Sequence, residues 1–180
     1  MISAKIYPDL PPRQKPLQKA VIAAAMFVVG RAFQSLSHSE PLIRHEVSGW
    51  PKGLTLMMKL QPNGSSVALQ KQPDGTVKYM GAHFDENKAD VVIYFKTIEA
   101  AFKMFTAQTG IDVAYAQHCM CARGDLSNTV SVVRALGITE CYLFPSIISK
   151  HLVKRLPAIP FWRKQGLRLK TYLLGIPFGI

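Results

Sequence analysis

The pattern of apolar and polar positions predicts three short strands in the first half of the chain. Between residues 54 and 60 the apolar side chains recur at every second position, as in a strand with one buried face. Pro62-Asn63-Gly64 and Pro73-Asp74-Gly75 are turn sequences, and each is followed by another short apolar alternation, near residues 67–69 and 77–79. This spacing predicts an antiparallel meander.

A continuous apolar segment and two helical patterns follow the meander. Residues 89–95 are apolar on both faces, which indicates an interior strand. Thr97 opens a helical pattern that Gly110 ends; residues 112–117 then lead to a predicted strand at 118–123, and a helix over 126–136 is closed by Gly137. Strands early and helices later, without strict alternation, predict an α+β fold with helices on one face of the sheet.

The two ends of the chain have a different character. Four prolines exclude a regular helix in residues 1–16, which we expect to be an extended arm. Residues 17–36 form an almost wholly apolar helix that serine residues break before Pro41; we interpret it as a core helix, with a membrane-surface helix as the alternative. Its longest uninterrupted apolar run, 20–30, is too short to span a bilayer. Residues 144–156 predict a short helix, and 157–180 an irregular tail.

This pattern divides the chain into three parts. They are the arm (1–16), a globular domain with its N-terminal helix (17–140), and a C-terminal helix and tail (141–180). A chain of 180 residues with 48% hydrophobic and 18% charged residues is neither disordered nor collagen-like. Its three cysteines indicate no disulfide framework, so we expect a reducing, cytoplasmic compartment; a secretory signal is not indicated.

The positive charge lies at the two ends. The net charge is +11, yet residues 20–140 are almost neutral, whereas residues 141–180 carry seven basic side chains and no acidic one. Nucleic-acid-binding domains more often carry a basic stripe on the folded body. Basic ends mixed with aromatic residues are better suited to an anionic membrane surface, with which we expect a peripheral association.

The order of these elements resembles the sterol carrier protein 2 (non-specific lipid-transfer) domain family. The resemblance covers roughly residues 45–137, and its most specific parts are Ala89-Asp90-Val91-Val92-Ile93 and Gly124-Asp125. It implies a five-stranded, mostly antiparallel sheet covered on one face by helices, with an apolar tunnel between the layers that holds a lipid tail.

Motifs of catalysis and metal binding are missing from the sequence. There is no nucleophile elbow, phosphate loop or paired Cys-x-x-Cys, so we expect neither an enzyme nor a cofactor. Cys119 and Cys121 would share one face of a strand; with Cys141 we interpret them as core cysteines, metal binding and redox sensing being the alternatives. Asp125 is interpreted as a helix cap rather than a catalytic acid.

Apolar residues of the strands and helices are the candidate ligand-binding set. Such a set is by default a filled core, but seven methionines and the resemblance favour a cavity. The candidates are Leu56, Met58, Leu69, Tyr79, Ile93, Phe95, Phe102, Phe105, Met120, Val130 and Val133.

The basic, aromatic tail is the second candidate site. Trp and Tyr prefer the headgroup region of a bilayer, and each Lys or Arg near an anionic leaflet adds about 1 kcal/mol. The candidate membrane contacts are Lys154, Arg155, Phe161, Trp162, Arg163, Lys164, Arg168 and Lys170. A strap packed on the domain or on a partner protein, and nucleic-acid binding, are the alternatives.

These features together predict a non-catalytic lipid-binding or lipid-transfer protein. It would hold an apolar molecule (sterol-like, fatty acyl or polyprenyl quinone) and use its basic tail to dock on a membrane or a partner. The alternative is an accessory subunit of a membrane-associated lipid or quinone biosynthetic complex, with no bound ligand.

Overall fold

A sheet of five strands forms the centre of the fold. The computed structural model describes residues 15–145 and 160–178 of the chain. The strands are β1 (Thr55–Leu60), β2 (Ser66–Lys71), β3 (Val77–Gly81), β4 (Val91–Phe95) and β5 (Met120–Arg123). They lie in the order β3-β2-β1-β4-β5; β1 and β4 are parallel and the other neighbouring pairs are antiparallel. The predicted α+β fold with a mostly antiparallel sheet is therefore confirmed.

Helices precede, connect and follow these strands. They are α1 (Pro16–Ser39), α2 (Pro41–Ser48), α3 (Ile98–Phe105), α4 (Ile111–Ala116), α5 (Leu126–Leu143), α6 (Phe161–Lys170) and α7 (Ile176–Phe178). A 3₁₀ turn spans Glu86–Lys88, and a π-helical turn, Thr171–Gly175, joins α6 to α7.

The main core lies between one face of the sheet and the helices. Side chains from α1, α2, α3, α4 and α5 pack there against alternate residues of the strands, among them Leu56 and Met58 of β1. The opposite face carries a smaller cluster of four buried residues, including Met57 and Val92, under the loop that contains Phe84. The predicted covering of one face by helices is confirmed.

Helix α1 continues further than its sequence suggested. The predicted break at the serines is wrong, because Ser37 and Ser39 donate hydrogen bonds to main-chain carbonyls of their own helix. The Ser37 hydroxyl also accepts a hydrogen bond from Val77 N at 3.0 Å, which ties α1 to the edge strand β3. With 24 residues, α1 is long and apolar enough to cross a membrane by length and composition, contrary to the expectation for its apolar run. Nine of its residues are buried in the fold, as in a core helix.

Three further predictions of secondary structure are corrected. Helix α5 does not end at Gly137 but continues to Leu143, because its last turns bury Thr139, Cys141, Tyr142 and Leu143; it therefore crosses the predicted domain boundary after residue 140. Helices α2 and α4 occupy segments where no helix was predicted. Residues 161–178 are helical rather than irregular.

Some predictions fall partly or wholly outside the described residues. The arm lies there except for its last two residues, and so does most of the predicted helix at 144–156, of which Phe144 and Pro145 are described and are not helical.

The predicted helix caps are confirmed. Asp125 accepts a hydrogen bond from Asn128 N at 2.9 Å, and Thr97 accepts one from Ala100 N at 3.1 Å. Each bond satisfies a main-chain donor that the first turn of a helix leaves without a partner.

Candidate ligand site between the sheet and the helices

A small apolar cavity lies between the sheet and the helices, where the sequence predicted a ligand. Its volume is about 20 Å³. It is lined by Val29, Met58, Ile93, Phe95, Met104, Phe105, Ile111, Met120, Val133, Leu136 and Glu140. Strands β1, β4 and β5 and helices α1, α3, α4 and α5 all contribute to its wall, and Glu140 is the only charged residue among the described residues that line it.

The exposure of the lining residues shows which end of the cavity is nearer the surface. The residues from the sheet, including Met58, Ile93 and Met120, are buried. Phe105 of α3, Ile111 of α4, and Val133 and Glu140 of α5 are partly exposed. The cavity therefore approaches the surface between α3–α4 and α5 and ends against the sheet.

The present volume is too small for a lipid. A cavity of this size holds about one water molecule, so an acyl chain enters only when the walls move apart. Three of the lining residues, Met58, Met104 and Met120, are methionines. Their unbranched side chains change shape more readily than Leu or Ile.

Six residues of the predicted ligand-binding set line this cavity. They are Met58, Ile93, Phe95, Phe105, Met120 and Val133. Leu56 and Leu69 are buried, and Tyr79 and Phe102 partly buried, elsewhere in the same core cluster.

The prediction that Val130 lines the ligand site is wrong, because 44% of its surface is exposed and it lies outside the core. Leu126, one turn earlier on α5, is also exposed, whereas the buried residues of this helix include Thr129, Val132 and Leu136.

Five lining residues were not in the predicted ligand-binding set: Val29, Met104, Ile111, Leu136 and Glu140. Glu140 is the charged one among them. Burial raises the pKa of its carboxyl to about 8. Among the described residues its side chain has no hydrogen-bond or ion-pair partner. It lies four residues after Leu136 and seven after Val133, so the helical spacing points to it once α5 is continued past Gly137.

A wider surface groove lies beside the turn that follows β1. It is lined by the turn 62–66, by Phe27 and Tyr79 on one side, and by Lys59 and Glu86 on the other. The ammonium of Lys59 is 2.6 Å from the Glu86 carboxylate, which also accepts a hydrogen bond from Tyr94 Oη at 2.6 Å. These two hydrogen bonds lower the pKa of Glu86. Lys59 and Glu86 of this groove are thus paired with each other.

The helical tail packs on α1 with one face and exposes the other. Arg163 approaches the buried Glu40 carboxylate to 3.6 Å, Lys170 donates to Ser39 Oγ at 3.2 Å, and Lys164 is buried. The opposite face exposes large apolar side chains: Trp162 (85%), Leu169 (61%), Leu173 (61%) and Phe178 (67%). Arg168 lies over the ring of Tyr172, at 5.8 Å.

The candidate membrane contacts therefore differ in their surroundings. Trp162 is exposed, whereas Arg163, Lys164 and Lys170 contact or enter the domain. Lys154 and Arg155 lie outside the described residues, as does the side chain of Phe161.

The three cysteines lie in different environments. Cys119 packs against the core on the helical side, whereas Cys121 packs on the opposite face of the sheet. The prediction that they share a face is wrong, because β5 begins at Met120 and Cys119 belongs to the preceding turn. Cys141 is buried, and burial raises the pKa of its thiol to about 11. No group of three His, Cys, Asp or Glu side chains suited to a metal ion occurs in residues 15–145 and 160–178.

Comparison with known proteins finds similarity among solved structures. A UbiJ-SCP2 ubiquinone synthesis protein matches with 16% identity and a TM-score of 0.43, over 73% of this chain and 97% of that one. Sterol carrier protein domain 2 of Helicoverpa armigera matches with 14% identity and a TM-score of 0.41, over 83% and 100%. Sterol carrier protein-2 like-3 of Aedes aegypti matches with 12% identity and a TM-score of 0.32, over 52% and 88%.

Several solved structures that match the chain thus carry the name of the family that its sequence resembles. At these identities the similarity concerns the fold, and what each of those proteins binds is a property of that protein. No family model and no curated protein sequence matches the chain.

Proposed function

We propose that this chain is a non-catalytic lipid carrier that holds an apolar molecule between its sheet and its helices. The observation that carries this proposal is the cavity: of the eleven described residues that line it, ten are apolar, and all layers of the fold contribute. Partition into such a space requires burial rather than reactive groups, since each buried methylene contributes about 0.8 kcal/mol. Sterol-like molecules, fatty acyl chains and polyprenyl quinones all meet this requirement.

Entry of the ligand would separate α3–α4 from α5. The partly exposed lining residues Phe105, Ile111 and Val133 lie on these elements, so the route from the surface is short there. The methionines deeper in the wall would adjust to the shape of the chain that enters. The sheet would remain fixed as the floor of the site.

The helical tail would bring the carrier to a membrane. Its outer face exposes Trp162, Leu169, Leu173 and Phe178, and residues 141–180 contribute seven basic side chains. Aromatic and aliphatic side chains beside cations suit the headgroup region of an anionic leaflet. The inner face of the same segment packs on α1, so it would serve both as a strap and as a docking surface. We therefore propose that the protein is cytoplasmic and associates peripherally with a membrane.

Lipid transfer between vesicles tests the carrier. Donor vesicles would carry a fluorescent sterol or a fluorescent acyl lipid, and the rate of transfer to acceptor vesicles would be measured with and without the protein. We expect acceleration by the wild type and its loss in Val133→Phe, because the larger ring fills the cavity. Val130→Phe is the matched control: it makes the same change three residues earlier, on the exposed side of α5.

A second pair of variants tests the tail. Replacing Trp162 and Leu173 by Ser removes two exposed apolar side chains of the tail, whereas replacing Leu126 and Val130 by Ser removes two from α5. The fraction of protein that sediments with vesicles of phosphatidylserine and phosphatidylcholine should fall only for the Trp162 and Leu173 double variant. Equal binding by both double variants would contradict membrane docking through the tail.

The alternative function is an accessory subunit with a closed core. The observation that favours it is the volume of about 20 Å³, which is nearly that of a filled core. In that case the exposed apolar face of the tail would bind a protein partner in a membrane-associated lipid or quinone biosynthetic complex. No transfer by the wild type, together with capture of a partner that the Trp162 and Leu173 double variant no longer binds, would favour this alternative.

A further inference from the structure

One acidic side chain interrupts the apolar wall of the cavity. Glu140 lies in the last turns of α5, and the ten other lining residues carry no charge and no side-chain hydrogen-bond donor. The described residues supply neither a cation nor a hydrogen-bond donor to its carboxyl. A polar group in such surroundings is costly unless something bonds to it.

We propose that Glu140 binds the polar end of the ligand, and that this end is an uncharged oxygen, a hydroxyl or a carbonyl, rather than a carboxylate or a phosphate. This inference rests on the proposed carrier function and narrows its ligand class. A long-chain alcohol, a sterol or a quinone meets the requirement, whereas a fatty acid anion does not.

The protonation of Glu140 agrees with this choice. Because burial raises the pKa of the carboxyl to about 8, the group is mostly protonated at neutral pH. A protonated carboxyl donates one hydrogen bond and accepts others, so it pairs with a hydroxyl or a carbonyl oxygen. An anionic headgroup would find no cation among the described residues that line the cavity, and an ionised Glu140 would repel it.

The charged and titratable groups nearby do not reverse this preference. The buried Lys164 of α6 acts on Cys141, the neighbour of Glu140, and lowers the pKa of that thiol against the effect of burial. Among the described residues no charged group shifts the pKa of Glu140, which is raised by burial. Lys164 is also absent from the residues that line the cavity.

The position of Glu140 also fits the polar end of a lipid. It belongs to the partly exposed end of the cavity, whereas the buried end is formed by Ile93, Phe95 and Met120 of the sheet. The hydrocarbon would therefore point inward, and the oxygen would remain near the surface between α4 and α5.

Competition between two lipids of equal chain length tests the inference. Vesicles of phosphatidylcholine containing equimolar hexadecanol and palmitate would be incubated with the full chain at neutral pH, and the bound species would be quantified by native mass spectrometry. We expect the wild type to bind about ten times more hexadecanol than palmitate, because one good hydrogen bond changes a binding equilibrium by about this factor. Glu140→Gln should keep this preference, because an amide also donates and accepts. Glu140→Leu should abolish it while still binding lipid.

A control variant and a folding measurement make the result unambiguous. Glu99→Leu removes a carboxyl that is half exposed and paired with Lys15 on the surface, and it should leave the preference unchanged. Leu at position 140 matches the apolar lining and should not unfold the domain, which circular dichroism would verify; Glu140→Gln is the nearly isosteric second variant.

The failure of this inference differs from the failure of the proposed function. Lipid binding with equal preference in wild type and Glu140→Leu, or a wild type that favours palmitate, would overturn the role of Glu140 and leave the carrier standing. Binding of neither lipid by any folded variant would overturn the carrier, and the inference with it.

Discussion

Gly124 packs against the main chain of Asp90 so closely that no side chain fits between them. A β-carbon at position 124 would lie 2.3 Å from the Asp90 carbonyl oxygen, and the φ angle of Gly124 is +129°. Asp90 in turn accepts a hydrogen bond from Thr55 N through its carboxylate, at 2.8 Å. The two short motifs that carry the family resemblance are thus in contact, where β4 begins and β5 ends.

This contact predicts a strong effect of Gly124→Ala. The substitution combines an unfavourable φ angle with a clash against main-chain atoms, which cannot move as a side chain does, so we expect a loss of at least about 2 kcal/mol in the free energy of unfolding. Gly137→Ala is the control: a β-carbon there meets nothing within 4 Å and lies inside α5, so it should stabilise by about 0.5–1 kcal/mol. Urea denaturation of both variants measures the difference, and equal stabilities would contradict the packing described.

A buried tyrosine and a buried carboxylate join α5 to the junction of α1 and α2. The Tyr142 hydroxyl donates to Glu40 at 2.6 Å, and Glu40 also accepts from Leu42 N at 3.2 Å. Burial and the bond to Glu40 raise the pKa of Tyr142. We expect Tyr142→Phe to cost roughly 2–3 kcal/mol of unfolding free energy, because it leaves a buried carboxylate short of a donor.

Tyr94→Phe is the matched control for that prediction. It removes a hydrogen bond of the same length, 2.6 Å, to Glu86 on the other face of the sheet. Glu86 is 27% exposed and keeps its contact with Lys59 in this variant. The loss of unfolding free energy in Tyr94→Phe should therefore remain below about 1 kcal/mol. A larger loss in Tyr94→Phe than in Tyr142→Phe would contradict this account of the two faces.

The pKa of Glu140 predicts a pH dependence of stability. Since the folded state holds the proton up to a pH of about 8 and an ordinary glutamate releases it near 4.5, the unfolded state binds fewer protons between these values. The stability contributed by the protonated group is complete below about pH 4.5 and is lost as the pH rises towards 8. In the Glu140→Gln variant the side chain is an amide, which stays neutral at every pH. The unfolding free energy of this variant relative to the wild type should therefore increase across this interval, by on the order of 2 kcal/mol for a partly exposed group.

Denaturation of both proteins from pH 4 to pH 9 measures this difference. Glu99→Gln serves as the control, because hydrogen bonding to Lys15 lowers the pKa of Glu99. The unfolding free energy of this variant relative to the wild type should therefore decrease, not increase, as the pH rises. A constant difference between Glu140→Gln and the wild type would contradict the raised pKa.

Local patterns predicted the sheet and the floor of the cavity better than its helical wall. Alternation along β1 and β4 assigns each residue to one face, and therefore placed Met58, Ile93 and Phe95 correctly. On α5 the apolar residues suggest two neighbouring stripes, and only the packed fold distinguishes the one with Val132 from the one with Val130.

The ends of two helices depended on tertiary contacts. Gly137 was interpreted as a stop, yet the burial of Tyr142 beyond it continues α5, and so Glu140 was missed. The serines before Pro41 were interpreted as a break, yet α1 continues to Ser39, and Ser37 accepts a hydrogen bond from Val77 of β3. Pro41 is then the first residue of α2, where proline is favoured.

The packing of the tail on α1 gives the last prediction. Gly175 lies in the π-helical turn, and a β-carbon there would be 2.5 Å from Ser35 Oγ and 2.6 Å from Ser35 Cβ. Since Ser35 is buried in α1, Gly175→Ala should push the tail away, and trypsin should cleave faster after Arg168 and Lys170 in the native protein. Gly166→Ala is the control, because a β-carbon at that position of α6 meets nothing within 4 Å and a helix gains from alanine. A cleavage rate that rises in Gly166→Ala but not in Gly175→Ala would contradict the packing of the tail on α1, and with it the assignment of its exposed face to docking.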